Sequence, residues 1–253
     1  MLPGFISTIL SRNGGILATV SRRMIMTIKR LIYPLSFFLL FFIAVVNLQG
    51  QVKDFQSWWE LELNKKVSGK LDLNGELEQR FKNNSLQYSR TLLTLGASYD
   101  FSDYFRLAGG MRTVFVMDGE QQLHTRFRIH MDGTGSYDLS GFDLSLRIRL
   151  QYGFEELLGL RYLRFNKLVN RNRLKVAHHI YGTRFGWFAT VESWHGSTIE
   201  SQLLTIAMRY SVGARFSPSV TSRFSLRYIL EDEFNVINPQ QLHVVVLGYS
   251  YRF

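Results

Sequence analysis

Leu242-His243-Val244-Val245-Val246-Leu247-Gly248-Tyr249-Ser250-Tyr251-Arg252-Phe253 closes the chain. From Leu242 on, apolar side chains alternate with small or polar ones, and the last residue is a phenylalanine. A period of two puts Leu247, Tyr249, Tyr251 and Phe253 on one face of a strand, with Gly248, Ser250 and Arg252 on the other. A soluble domain rarely stops on an amphipathic strand with an aromatic end. The fold therefore turns on whether the same alternation runs through the rest of the chain, and on which way the apolar face points.

It runs almost everywhere. Leu71, Leu73, Leu77 and Phe81 share one face, opposite Asp72, Asn74, Glu76, Glu78 and Arg80. Phe142, Leu144, Leu146, Ile148, Leu150 and Tyr152 oppose Asp143, Ser145, Arg147, Arg149 and Gln151. Phe127, Ile129 and Met131 oppose Arg126, Arg128, His130 and Asp132, and Leu204, Ile206, Met208, Tyr210 and Val212 oppose Arg209, Ser211 and Arg215. The pattern predicts strands at 55–66, 70–81, 89–101, 105–115, 123–137, 142–154, 169–181, 185–195, 201–216, 222–234 and 242–253. Most run to about 10–13 residues, near the ~9–11 that a tilted strand needs to cross a bilayer and longer than the ~5–6 usual in soluble sheets. Their polar faces are strongly ionic. In a membrane barrel such a face lines a wet lumen and the apolar set meets lipid.

The first 50 residues read differently. Lys29-Arg30 precede an apolar run from Leu31 to Val46 that leads to Leu48-Gln49-Gly50. A basic start, a short apolar stretch and small residues at the exit are the layout of a cleavable signal peptide at 24–50. The run falls below the ~20 residues a spanning helix needs. Residues 1–23 are expected to be an over-extended gene start or a disordered segment, and 51–253 one barrel domain. Of the formal charge of +10, half comes from Arg12, Arg22, Arg23, Lys29 and Arg30, which no acid offsets. After Gly50, twenty-five bases face twenty acids, and the arginines are spread over many strands instead of forming one stripe, which argues against nucleic acid as a partner. The absence of cysteine excludes thiol chemistry and disulfides, and no cofactor is implied.

Short turns are expected at Val67-Ser68-Gly69, Ser102-Asp103, Leu139-Ser140-Gly141, Gly182-Thr183-Arg184 and Ser217-Pro218-Ser219. Longer links fall near 82–88, 116–122, 155–168, 196–200 and 235–241. That alternation of short and long is what membrane barrels show. The count of eleven is awkward, because bacterial single-chain barrels take even numbers. With eleven strands the first and last run the same way and meet in parallel. About 10–12 strands are therefore expected, with either a strand not yet identified or an unusual closure.

The Trp58-Trp59 segment, the Glu76/Glu78/Arg80-Phe81 strand, the Arg147/Arg149 strand, the Arg171-Asn172-Arg173-Leu174 strand and the closing Leu247–Phe253 resemble domain-of-unknown-function family 2490. It is an uncharacterised family of predicted outer-membrane β-barrels of Gram-negative bacteria. The resemblance covers nearly all of 51–253. It implies a fold and a location in the outer membrane, among its lipid and lipopolysaccharide, and it implies no active site. As in outer-membrane barrels generally, Tyr249, Tyr251 and Phe253 are expected to serve as the signal read by the barrel-assembly machinery.

Three groups of side chains invite a chemical reading. Arg106, Arg112, Arg126, Arg128, Arg147, Arg149, Arg171, Arg173, Arg209, Arg215, Arg223, Arg227 and Arg252 share the polar faces with Glu60, Glu62, Asp72, Glu76, Glu78, Asp132, Asp143, Glu192, Glu231 and Glu233. They form either an anion-preferring path or a plug of mutually neutralised charges. With both signs abundant in a small barrel, the plug is the expected reading. Arg126 and Arg128 are the expected partners of Glu76 and Glu78. His195 and Ser197, two apart beside Glu192, give an alternative reading as a lipid or lipopolysaccharide hydrolase. Gly196 points instead to a strand giving way to a loop, and no catalytic residue is assigned. His178 and His179 are adjacent on a strand and point to opposite faces, so no metal site is expected. Trp58, Trp59, Trp187, Trp194, Tyr99, Tyr152, Tyr249 and Tyr251 are expected in an interfacial aromatic girdle.

Overall fold

Eleven strands form where the alternation places them, their ends shifted by no more than three residues. The computed structural model describes residues 52–117, 122–156, 167–197, 203–236 and 239–253. The expected leader at 24–50, the segment 1–23 and most of the 155–168 link lie outside the described residues. The strands are β1 (Val52–Lys66), β2 (Leu71–Lys82), β3 (Gln87–Ser102), β4 (Phe105–Met117), β5 (Leu123–Leu139) and β6 (Phe142–Glu156). They continue as β7 (Lys167–His179), β8 (Phe185–Ser197), β9 (Leu203–Phe216), β10 (Ser222–Glu233) and β11 (Gln240–Arg252). Each pairs with its sequence neighbours in antiparallel register, and β11 returns to β1, so the sheet closes into a barrel. Closure leaves no strand edge unpaired.

The closing pair is parallel. Val52 lies beside Gln240 and Asn64 beside Arg252, with thirteen residues of β1 in register with β11. The odd count is thus a property of the barrel and not the sign of a missing strand. Parallel pairs bond slightly less well per residue, and three features reinforce this seam. The Phe253 amide donates to the Asn64 carbonyl at 3.0 Å, extending the pair past the last strand residue. Arg227 on β10 reaches across β11 to Glu60 on β1 at 2.5 Å. Gly248 lies under that crossing, where a Cβ would collide with the Ser225 hydroxyl. Above the crossing Trp58, Ile229, Val244 and Val246 are buried together, with Leu242 packed against them. Leu242, Val244 and Val246 are the residues at which alternation in the last strand breaks down. They are apolar on the inner face, and they make a dry patch inside the seam.

Cross-strand register fixes which face is which. Arg112 sits between Thr94 and Arg128, Asp132 opposite Arg149, and Glu231 opposite Arg209. All of these point inward. Leu95, Met131, Leu150, Leu174 and Leu226 point outward and are exposed. A barrel with charges inside and leucines outside is inverted relative to a soluble one.

Turn chemistry marks the two ends. The β5–β6 link is Ser140-Gly141, both with positive φ (52° and 87°), the mirror-image two-residue turn that suits the twist of a hairpin. The links after the odd-numbered strands, of two to five residues, share one rim with Phe253 (the short-turn rim). Those after the even-numbered strands, of four to ten, share the other with the start of β1 (the long-link rim). The expected contrast is lost at β2–β3, where the link is only 83–86. On the short-turn rim the outer face carries pairs of rings. Tyr99 and Phe101 lie 4.9 Å apart, Phe185 and Phe216 4.9 Å, Phe224 and Tyr249 5.0 Å, and Tyr251 and Phe253 6.1 Å.

The lumen as candidate functional site

Strand pleat alone brings the predicted charges together. Every second residue of each strand points inward, and eleven inward rows converge on one lumen. Glu76 takes the Arg112 guanidinium at 3.0 Å, and Arg112 also donates to Thr94 Oγ1 at 2.7 Å. Glu78 is buried and pairs with Arg80, two residues on along the same strand. The expected partners Arg126 and Arg128 do not hold these carboxylates. They sit on β5, three strands away, whereas Arg112 is two strands away and Arg80 lies on β2 itself. Arg149 grips Asp132 through two parallel bonds of 2.6 Å, the fork geometry that makes arginine–carboxylate pairs strong. Arg227 holds Glu60 across the seam.

Glu192 on β8 is the hub. It is buried, and its oxygens take Arg147 of β6 at 2.6 Å and Arg171 of β7 at 3.0 Å. Arg209 of β9 stands 4.0 Å away and makes its closer bonds with Glu231, one of them 2.6 Å long. Burying a charge is costly unless it is paired and hydrogen-bonded, so this cluster holds only as a set.

Two tryptophans complete it. The Arg80 guanidinium lies 3.5 Å from the centre of the Trp58 ring, and Arg209 lies 5.3 Å from that ring on approach from β9. Arg209 is also 4.9 Å from Trp194, and Arg171 is 3.9 Å from Trp194. Read in order, Arg80, Trp58, Arg209, Trp194 and Arg171 make an alternation of cation and ring. It begins on β2 and ends on β7, which face each other across an eleven-strand barrel. Rings attract cations through their negative faces, more strongly where water is displaced. The alternation is therefore a cohesive bar inside the lumen that ties β2, β1, β9, β8 and β7 together, beside a cavity whose lining runs from Lys53 and Asn83 near one rim to Arg223 and Ser250 near the other. Trp58 and Trp194 do not belong to the girdle in which the sequence pattern placed them. Trp59 does lie on the exposed outer face. The clue was parity: Trp58 shares its face with Glu60, and Trp194 shares its face with Glu192.

Charge balance also departs from expectation. The main lumen cavity, about 1270 Å³, is lined among the described residues by sixteen basic side chains and eight acidic ones. Arg128, Arg173 and Arg215 line it without an ion pair to any described carboxylate. Arg173 is the register partner of Glu192, whose oxygens are taken by Arg147 and Arg171. Arg126 shares the inner face of β5 with Arg128. The sequence count missed Lys175 and Arg90, which point inward beside the arginines.

The other candidates fall outside the lumen lattice. The His195 ring meets the Ser193 hydroxyl at 3.0 Å and the Thr205 hydroxyl at 3.2 Å, with a register shift between Trp194 and His195. The Ser197 side chain lies outside the described residues. His178 meets the Gly141 carbonyl at 2.8 Å and stacks on Phe142 with ring centres 4.7 Å apart. Among the described residues no three metal-ligating side chains gather.

Comparison with known proteins adds a family. Among solved structures, the translocator domain of autotransporter NalP from Neisseria meningitidis is 15% identical, with 66% of this chain and 70% of that one covered, at a TM-score of 0.39. A bacterial polysaccharide outer membrane secretin is 12% identical, covering 70% of this chain and 72% of its own, at 0.37. At that distance neither is a guide to what this barrel does. No curated protein matches the chain. The family model described as protein of unknown function (DUF2490) matches residues 55–242, which span the barrel from β1 into β11. The chain belongs to the DUF2490 family.

Proposed function

We propose that the protein is a non-catalytic outer-membrane barrel whose lumen is barred at mid-section, a structural or small-solute barrel of low conductance and not an open diffusion pore. The observation that carries this reading is the polarity of the wall. Leucines, methionines and an aromatic rim face outward, while ion pairs and the tryptophan–arginine bar line the inside. A lipid phase suits the first, since every backbone group is satisfied by strand pairing in a closed barrel. Bound water and paired charges suit the second. Export through the leader at 24–50 and insertion by the assembly machinery complete the proposal. Among the described residues His195 meets two hydroxyls and no carboxylate, so its contacts lend the hydrolase reading no support.

Fractionation tests the location, and epitopes test the orientation. The protein is expected in the outer-membrane fraction, migrating faster on gels unheated than boiled. An epitope at Leu86, on the long-link rim, is expected to stain intact cells. One at Val220, on the short-turn rim, is expected to stain only permeabilised cells. Recovery in the soluble fraction, or the reverse staining, contradicts the proposal.

A further inference from the structure

The surplus of cations is not spread evenly. Toward the short-turn rim, Arg173 and Lys175 of β7, Arg215 of β9 and Arg223 of β10 point into the lumen from adjoining walls. Arg173, Lys175 and Arg223 line both the main cavity and a second one of about 420 Å³ at that rim. None of the four forms an ion pair with a described residue. The Asp143 carboxylate acts on Lys175 and Arg215 only through space, from an exposed position near the β5–β6 turn.

The wall around them has the marks of a built site. The Phe188 ring lies 5.7 Å from Lys175 Nζ and 4.7 Å from the Arg215 guanidinium, so one ring carries two like charges. The ring fits because residue 213 is glycine. A Cβ there would stand 2.6 Å from Phe188 Cζ. Arg215 Nη2 is buried without a hydrogen-bond partner among the described residues, and a buried donor left unpaired costs free energy that an added acceptor would recover. Thr190 and Ser211, 2.6 Å apart, set neutral hydroxyls on the same inner wall.

We propose that this end of the lumen is a binding station for a small tetrahedral oxyanion of the phosphate or sulfate class, held by Arg173, Lys175, Arg215 and Arg223. Four like charges gathered with no ion pair among the described residues repel one another, although Glu62, Asp72 and Asp132 also line the rim cavity, and a doubly charged anion relieves that repulsion. Guanidinium forks match the paired oxygens of such an anion better than they match a spherical halide. Rings of arginine and lysine are also how pores favour anionic solutes. The inference rests on the proposed barrel in one respect: the lumen must be open to solutes at the short-turn rim. It differs from the barred centre, where arginines spend their donors on Glu192, Glu231 and Asp132.

Calorimetric titration of the purified full chain in uncharged detergent tests it. Sodium phosphate, sodium sulfate and sodium chloride are added in separate arms at matched ionic strength, with a short-chain phosphatidic acid as a fourth arm. Phosphate or sulfate is expected to bind saturably, with affinity at least tenfold above chloride. Phosphatidic acid winning over free phosphate would overturn the assignment to a small solute and point to a lipid headgroup. Lys175→Gln with Arg215→Gln is expected to weaken binding at least tenfold, whereas Arg90→Gln, at the opposite end, leaves it unchanged. If the double variant does not fold, Lys175→Gln alone serves, with an expected threefold loss or more. A heat-modifiable barrel that binds phosphate and sulfate no better than chloride overturns the station and leaves the barrel standing. A chain without heat-modifiable mobility overturns the barrel itself.

Discussion

Replacing Glu192 by Gln is expected to destabilise the barrel more than any other single change in the lumen. One buried carboxylate answers Arg147 at 2.6 Å and Arg171 at 3.0 Å, with Arg209 at 4.0 Å. The amide keeps the shape and loses the charge, so three cations are left facing one another. Removing one side of a buried ion pair costs roughly 3–5 kcal/mol. Water in the lumen screens part of that, and a loss of about 3 kcal/mol is expected. Urea titration of the barrel refolded into lipid vesicles measures it. Glu62→Gln is the matched control, because Glu62 lines the same lumen, is exposed and forms no ion pair among the described residues. Equal midpoints for the two variants would show that Glu192 is not the hub.

The second large effect concerns closure. Changing Tyr251 and Phe253 together to Ser is expected to abolish most folded barrel in cells, while Gln240→Ser leaves the yield near normal. The last strand does two jobs here. It pairs with β10 through Ser222↔Tyr251 and with β1 through Leu63↔Tyr251, so it closes the sheet between β10 and β1. Its final rings stack with centres 6.1 Å apart on the outside of the rim, and Lys65 lies 6.0 Å from the Phe253 ring. Serines leave the backbone pairing possible but remove the apolar face that holds the strand at the lipid boundary. They also erase the aromatic end that the assembly machinery is proposed to read. Gln240, at the other end of β11, has an exposed side chain. Equal amounts of heat-modifiable protein from both variants would refute the assignment.

How much of this was legible beforehand follows from geometry. Alternation is a local property of the pleat, so eleven strands and their inward faces could be read from runs such as Phe142–Tyr152. Glu76, Glu78, Arg112, Arg128, Arg147 and Arg149 are among the side chains that line the lumen cavity. Pairing is not local. Whether Glu78 meets Arg80, Arg126 or Arg128 depends on register and on how far a guanidinium reaches around the curve of the wall, and alternation carries neither. The closing contact was legible as a paradox: eleven strands force β1 and β11 to run the same way, and they do. Trp58 and Trp194 were misplaced because their residue type suggested an interface, although their parity pointed inward. The cation surplus was hidden because counting charges along the chain does not say which carboxylates are already spoken for. Glu192 alone occupies two arginines and leaves its register partner Arg173 without an ion pair.

The central claim is that the bar from Arg80 through Trp58, Arg209 and Trp194 to Arg171 closes the lumen. Single-channel recording in planar bilayers tests it most directly, comparing the wild-type protein with Trp58→Ala combined with Trp194→Ala. The double variant keeps every charge and removes only the rings that hold the cations in line. The wild type is predicted to carry almost no steady current, and the variant to show stable open steps with anions as the preferred carriers. A wild-type barrel that conducts freely, with steps unchanged by loss of the two rings, would contradict the account.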